Sequence, residues 1–402
     1  MDSSALQTVL DQRLRGVIRT NGSNGPGAVA LVVGPEGILA QASLGDLGLD
    51  SPVGLGSLSK SFTSRVLLSL VDRGLVKIDD EVARYIPNAR VLPGTTLQNL
   101  AQHISGIRAD GSLAADRKFR YSNVNYYLLG QVIEQVTKQP FRSVVYQAVL
   151  EPLGIEQINQ CVSSYTYFFG GQIPSFEPSD FHSDPWISYA AGGVCMSARD
   201  AARYIQAYLD GTCNIERFIG ESVELVSAEH DPAFGSRAKY GLGWAVRNSP
   251  AGQRVVFHTG KLPGFTTMFA VLPDQQRGVI ILTNYGDFLV GTPAIEEVGE
   301  HIVAAVASGN MEYRVPSVGH QVAKARLRNL VGFGFYLVFC GFVSRRMPAW
   351  LSAGLAVVVP VTLRMVVRTP LRWIGRFVPD LASVLGCGSA ILLWGAVRKR
   401  RR

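Results

Sequence analysis

Three uncharged apolar runs follow one another at the C-terminal end of this chain: "NLVGFGFYLVFCGFVS" (329–344), "MPAWLSAGLAVVVPVTL" (347–363) and "LASVLGCGSAILLWGAV" (381–397). Each is at the short end of the roughly 17 to 25 residues that cross a bilayer as a helix, and flanking arginines extend the reach by snorkelling. The competing reading, a buried helical hairpin of a soluble domain, fits poorly with three runs in series and almost no acid among them. The second run is the weakest, because Pro360 interrupts it and Arg364 ends it.

Charge divides at the same place. From Lys324 onward there are 14 Lys+Arg against a single acid, Asp380, and before it 25 basic and 30 acidic residues, so the net +8 is +13 in the tail and −5 in the body. An acidic body argues against nucleic-acid binding, which needs cations on the folded face itself. Basic residues around apolar runs instead point to a lipid bilayer as partner.

The orientation rules conflict. The final "RKRRR" (398–402) is a strong cytoplasmic anchor, and three spans then place the body on the opposite side. Summed over all flanks, however, seven basic residues fall on each side. "MDSSALQTVLDQRLRGVI" spaces Leu6, Val9, Leu10, Leu14 and Val17 at helical intervals, where an export signal would need an unbroken apolar core. On this evidence either the start has been placed downstream of a signal or the body is cytoplasmic. Of five cysteines, Cys340 and Cys387 lie in apolar runs, and Cys161, Cys195 and Cys213 form an odd set without metal-ligand spacing. Neither a disulfide framework nor a structural metal site is expected.

The body reads as one large globular unit, since 47% hydrophobic and 17% charged residues carry no mark of disorder. After the hinge "NGSNGPG", "AVALVVGPEGILAQASLG" predicts a β-hairpin turning at Gly34-Pro35-Glu36-Gly37. Helical patterns dominate from Lys60 to about Leu209, punctuated by "PGTT", "PLG" and "FFGGQIPSFEPSDFHSDP". Strands return in "GLGWAV", "RVVFHTG", "FTTMFAVLP" and "RGVIILTN", and residues 296–307 read as a closing helix. Strands at both ends of a helical middle predict an α/β (α+β) architecture, one sheet assembled from distant segments with an all-helical subdomain over about 62–205 inserted. The body so defined spans 1–320 and a membrane part 321–402, with "SGNMEYRVPSVGHQ" between them.

Chemistry concentrates at a junction. In "GLGSLSKSFTSRVLLSLVDRGLV", from Gly54, small polar residues give way to a helical pattern, with Ser57 and Lys60 at the boundary. A serine hydroxyl needs its proton removed, and an amine one helical turn away can take it if desolvation or a neighbouring cation keeps it neutral. At i and i+3 the two share a helix face, and the helix start lends its N–H groups to developing negative charge. Ser-x-x-Lys alone is weak: Ser236-Arg237-Ala238-Lys239 matches equally well before a strand, and Ser57 could equally serve as a helix cap.

Two further segments change the balance. "RYSNVNYYLLG" carries Tyr121-Ser122-Asn123 before an apolar helix, and "VVFHTGKLPGF" carries His258-Thr259-Gly260 at the end of a strand. Ser-x-x-Lys, then Tyr-x-Asn, then His-Thr-Gly, in that order, resembles the penicillin-recognising serine hydrolases, the branch holding class C β-lactamases, D-alanyl-D-alanine carboxypeptidases and related esterases. The resemblance covers roughly Ala5 to Val306 and is supported by "LAQHISGI", "LEPLGI", "AAGGVCMSARDAARYIQAYLDG" and "LTNYGD". The chain is shorter than the family usually shows between the first hairpin and Ser57, and the membrane runs lie outside the shared domain.

The resemblance implies a β-lactamase/transpeptidase-like fold, an antiparallel sheet flanked by helices, and no cofactor or metal. It implies that Lys60 and Tyr121 share the task of deprotonating Ser57, which attacks a carbonyl and forms an acyl-enzyme. The backbone N–H groups of Ser57 and Lys261 form the oxyanion hole, Asn123 holds the substrate's amide carbonyl, and His258, Thr259 and Gly260 shape the site beside a substrate carboxylate. Where this motif begins with lysine, a permanent cation favours carboxylate-bearing substrates; a mostly neutral histidine relaxes that demand. The expectation is a membrane-anchored, multi-pass serine hydrolase acting on a D-alanyl peptide, β-lactam or other small-molecule or peptide acyl compound, its body extracytoplasmic because cell-wall peptides and β-lactams are met there. The alternative is a non-catalytic membrane-bound ligand sensor or scaffold on the same fold. A transporter is disfavoured, since the short spans offer no intramembrane acid beyond Asp380.

Overall fold

Strand β1 (Ala28–Gly34) is apolar and buried at every position, which is tolerable only where a sheet is covered on both faces. In the computed structural model, which describes residues 2–14, 26–157, 160–168, 171–175, 188–225, 238–249, 251–286, 291–309, 318–367 and 379–400, that is the arrangement. β1 turns through the expected Gly34–Gly37 tip into β2 (Gly37–Leu44). The other strands are β3 (Val53–Gly54), β4 (Tyr165–Phe168), β5 (Gly171–Pro174), β6 (Cys195–Met196), β7 (Val223–Glu224), β8 (Lys239–Tyr240), β9 (Ala245–Asn248), β10 (Arg254–Leu262), β11 (Phe265–Leu272) and β12 (Arg277–Thr283). Eight of these form one antiparallel sheet in the order β2-β1-β12-β11-β10-β9-β8-β7, so the N-terminal hairpin docks on the last strand of the body.

The helices are α1 (Ser3–Leu14), α2 (Ser59–Asp72), α3 (Leu97–Ala101), α4 (Asn123–Thr137), α5 (Phe141–Val145), α6 (Ala198–Leu209), α7 (Glu216–Ile219), α8 (Gly291–Ser308), α9 (Val318–Arg346), α10 (Ala349–Val367) and α11 (Pro379–Arg400). Alternating strand residues separate two cores. Ala28, Ala30, Val32, Met268, Ala270 and Ile281 pack with Leu6, Leu10, Val298 and Ile302 of α1 and α8. Val29, Leu31, Phe269, Val271, Ile280 and Leu282 face α2, α4 and α6. β1, β11 and β12 are therefore hydrophobic on both sides, and the period-two pattern sorts their residues between helical layers.

Three expectations are revised. The Gly/Pro-rich stretch beyond Ser164 contains a hairpin, β4 with β5, rather than only an interruption between helices. Cys161 and Cys195 form a disulfide, with Cα atoms 5.7 Å apart, where none was expected. Their separation of 34 residues carries no local signal, and the pair meets only because β3 pairs with β6 and Val162 N–H bonds Pro52 C=O at 2.8 Å. α10 also runs through both Pro360 and Arg364, since an apolar helix tolerates a proline whose freed carbonyl finds another partner. Parts of the hinge "NGSNGPG", the segment beyond Ser175, Ser236, Arg237, Asp287 and most of the interdomain linker lie outside the described residues.

At the C-terminal end, Leu327–Arg346 and Leu381–Lys399 are long and apolar enough to cross a membrane, and Ala349–Val359 is a shorter apolar helix. Cys340, Val343, Ala356 and Leu392 form a small core among the three helices, whereas Phe335, Val338, Trp350 and Trp394 stand exposed on its outside. Ser389 Oγ donates to Ala356 C=O at 2.9 Å, a hydroxyl bridging two helices in apolar surroundings.

Candidate active site

Ser57 lies in a 3-10 turn (Gly56–Leu58) that runs directly into α2. It is not a helix cap: the N-cap position of α2 is Leu58, with no side-chain capping bond. Its hydroxyl instead lies 3.0 Å from Lys60 Nζ. Lys60 is fully buried, and Nζ also donates to Asn123 Oδ1 at 2.7 Å and to Ala191 C=O at 2.8 Å. Both of those oxygens can only accept, so each takes an N–H of the amine, and the same nitrogen reaches the Ser57 hydroxyl. The Ala190–Val194 segment is fixed to α2 by Thr63 Oγ1 on Ala190 C=O at 2.7 Å and by Val194 N–H on Ser59 Oγ at 3.0 Å.

Tyr121 and Asn123 arrive together at the start of α4. Asn123 is not the cap residue; the N-cap is Ser122, and the Asn123 amide oxygen is engaged by Lys60. The Tyr121 ring centre is 4.8 Å from Lys60 Nζ and 6.2 Å from the His258 ring. His258 is buried on β10, where its Nδ1 lies 2.6 Å from Thr259 C=O and its Nε2 2.9 Å from the Tyr240 hydroxyl. A carbonyl can only accept, so Nδ1 donates and, in the neutral ring, Nε2 accepts the Tyr240 proton. Burial, with Tyr126 and Tyr121 nearby, pushes the Tyr240 phenol well above its ordinary range, which keeps it a donor.

β10 also frames Ser57. A Cβ on Gly56, at φ +56°, would sit 2.6 Å from Lys261 N, and a Cβ on Gly260 would overlap the Leu55 carbonyl oxygen. The two glycines let the Ser57 turn lie backbone to backbone against the strand, with Thr267 Oγ1 donating to Leu55 C=O at 2.8 Å. The Lys261 amide is thereby brought beside the turn that carries Ser57, while the Lys261 side chain pairs with Glu296 of α8 at 3.1 Å. Thr259 is buried in the same strand.

The predicted residues Ser57, Lys60, Tyr121, Asn123, His258, Thr259, Gly260 and Lys261 thus come from three distant segments into one place. The rival tetrad does not join them: Lys239 is exposed on β8 near Glu224, and Ser236 lies outside the described residues. Sequence reasoning gave no role to Ala191, whose contribution is a main-chain carbonyl, or to Tyr240, His103 and Asn125, although "AAGGVCMS", "YGLGW", "LAQHISGI" and "RYSNVNYYLLG" contain them.

Comparisons with known proteins bear on the fold. Penicillin-binding protein 4* of Bacillus subtilis (strain 168) is 24% identical over 301 residues, 62% of this chain and 64% of the relative, so the chain covers just under two thirds of that relative's length. The β-lactamase/D-alanine carboxypeptidase of Yersinia pestis superposes with a TM-score of 0.60 at 18% identity, covering 76% of this chain and 99% of that one. The D-amino acid amidase of Ochrobactrum anthropi SV3 gives a TM-score of 0.62 at 18% identity, over 76% and 98%. Both show a shared fold. Residues 14–296, more than half of the chain, match the sequence profile of the Beta-lactamase family. With the antiparallel sheet, the buried lysine on α2 and this match in hand, the chain belongs to the beta-lactamase family.

Proposed function

We propose that this protein is a membrane-anchored serine hydrolase that acts on ester or amide substrates through an acyl-serine intermediate. The observation that carries the reading is the 3.0 Å contact between Lys60 Nζ and Ser57 Oγ, with the buried amine also held by the Asn123 and Ala191 oxygens. Lys60 and Tyr121 take the Ser57 proton as the hydroxyl adds to the carbonyl carbon. The amide N–H groups of Ser57 and Lys261 receive the developing oxyanion, each worth about 3 to 4 kcal/mol. Collapse breaks the acyl bond, the leaving group takes the proton, and water activated by the same pair hydrolyses the ester. Asn123 orients the substrate's amide carbonyl, with His258, Thr259 and Gly260 forming the opposite wall.

A neutral His258 favours acyl substrates without an obligatory carboxylate, so short esters and D-amino-acid amides or peptides rank above β-lactams. An extracytoplasmic body is supported by the Cys161–Cys195 disulfide, which persists in oxidising compartments. Full-length protein in detergent is expected to react with a fluorophosphonate probe at Ser57, identified by peptide mass, and Ser57→Ala to remain unlabelled. Unlabelled wild-type protein, or equal labelling of Ser57→Ala, overturns the reading and favours a ligand-binding role.

A further inference from the structure

α3 ends in a way that glycine normally permits. The Ile104 N–H bonds Asn99 C=O at 2.9 Å and the His103 N–H bonds Leu100 C=O at 3.1 Å, the paired pattern that closes a helix through one left-handed residue. That residue is His103, at φ +59°, and its side chain is fully buried. A histidine where glycine is the easy choice implies that its ring is used.

The ring and its own backbone meet the chain on both sides of Tyr121. His103 C=O accepts the Arg120 N–H at 2.8 Å, and His103 Nδ1 accepts the Ser122 N–H at 3.3 Å. Between these two bonds the Tyr121 ring lies against the imidazole, with centres 4.4 Å apart and planes tilted by 39°. Asn125 Nδ2 stands 2.9 Å from the same Nδ1, and Asn125 Oδ1 takes the Ser105 hydroxyl at 2.6 Å. A backbone N–H can only donate, so Nδ1 is the acceptor and the proton sits on Nε2, which has no hydrogen-bond partner among the described residues. Around it are the rings of Phe119, Tyr121, Tyr126 and Tyr240.

We infer that His103 is the positioning residue for Tyr121, gripping the backbone at Arg120 and Ser122 and backing the ring so that the phenol is held beside Lys60 and Ser57. His103 itself touches neither the nucleophile nor Lys60 through a hydrogen bond; it acts through Tyr121. The "HISG" segment follows from the same construction: His103 holds Tyr121, Ser105 orients the Asn125 that in turn holds the imidazole, and Gly106 takes φ +83° directly after it.

The inference rests on Ser57 being acylated, and the test separates the two. Asn places its Oδ1 where the imidazole has Nδ1 and accepts the left-handed backbone; Leu fills the space with no acceptor. The second-order rate of Ser57 labelling by a fluorophosphonate is expected to fall about a hundredfold in His103→Leu. In His103→Asn it is expected to recover to within about tenfold of wild type. Wild-type speed in His103→Leu, or equal slowness in both variants, overturns the positioning role while leaving the hydrolase reading intact; a wild-type protein that does not label overturns the hydrolase reading instead. Should His103→Leu fail to fold, nitrogen-15 spectra of histidine-labelled wild-type protein decide the matter at pH 7: a proton on Nε2 supports the grip, and a proton on Nδ1 overturns it.

Discussion

Lys60 Nζ and Asn123 Oδ1 lie 2.7 Å apart across 63 residues of sequence, joining the start of α2 to the start of α4. The contact is between an amine and a neutral amide, and that neutrality has a consequence. A carboxylate at the same place would hold the amine as ammonium and withdraw the base from Ser57. Asn123→Asp, nearly isosteric, is expected to lower kcat/KM at pH 7 by about tenfold or more and to move the acidic limb of the pH–rate profile upward. Asn123→Ala should lower the rate without moving that limb. An unmoved limb in Asn123→Asp would show that Lys60 is not the base.

The disulfide bears on stability rather than chemistry. It closes a loop of 34 residues, for which chain entropy alone gives about 3 to 4 kcal/mol. Neither sulfur belongs to the Ser57, Lys60 and Tyr121 cluster. The Cys161→Ala/Cys195→Ala double variant should melt about 5 °C lower than wild type. It should still label at Ser57 at room temperature. Loss of labelling in a variant that still melts cooperatively would mean that the crosslink shapes the site directly.

His103 makes stability depend on pH in a defined direction. Burial among aromatic rings holds the imidazole well below the ordinary histidine range. In the unfolded chain it takes a proton near pH 6.5, so below that pH the unfolded state binds more protons and the fold loses stability, by up to about 1.4 kcal/mol per pH unit. Above pH 6.5 the contribution is constant. His301 is shifted in the same direction but is less buried, so it adds a smaller slope. Melting temperatures between pH 8 and pH 5 should fall less steeply in His103→Asn than in wild type, and parallel curves would contradict the assignment.

What could be read ahead of the coordinates was whatever is written in side-chain identity at short range. Ser57 and Lys60 are one helical turn apart, and the short apolar runs "AVALVVG" and "RGVIILT" beside turn residues anticipate paired strands; the order of the remaining motifs tied Tyr121, Asn123 and His258 to them by resemblance. The unread parts depend on backbone or on distance. Ala191 contributes a carbonyl that any residue could supply. Gly260 was named within its motif, but that the Leu55 backbone passes against it is visible only in the fold. Cys161 and Cys195 meet through β3 pairing with β6. His103 needed its left-handed backbone to be seen before its role could be argued.

The C-terminal helices carry the last prediction. Leu327–Arg346 and Leu381–Lys399 each have the length and apolarity to cross, whereas α10 is long but contains Pro360 and Arg364. If α10 also crosses, an odd number of spans places the hydrolase body opposite the terminal "RKRRR"; if it lies in the interface, both end up on one side. Outward Phe335, Val338, Trp350 and Trp394 appear on all three helices, α10 included, and the charge of the last five residues favours the cytoplasm for the C-terminus. A fluorescent protein fused after Arg402 should therefore fold and fluoresce in the cytoplasm of a bacterial host, while protease added to spheroplasts digests the body and spares the fusion. Protection of both halves until lysis would place them together in the cytoplasm and remove α10 from the membrane-crossing set. It would also leave the Cys161–Cys195 bond in a reducing compartment, where it should be found as two thiols.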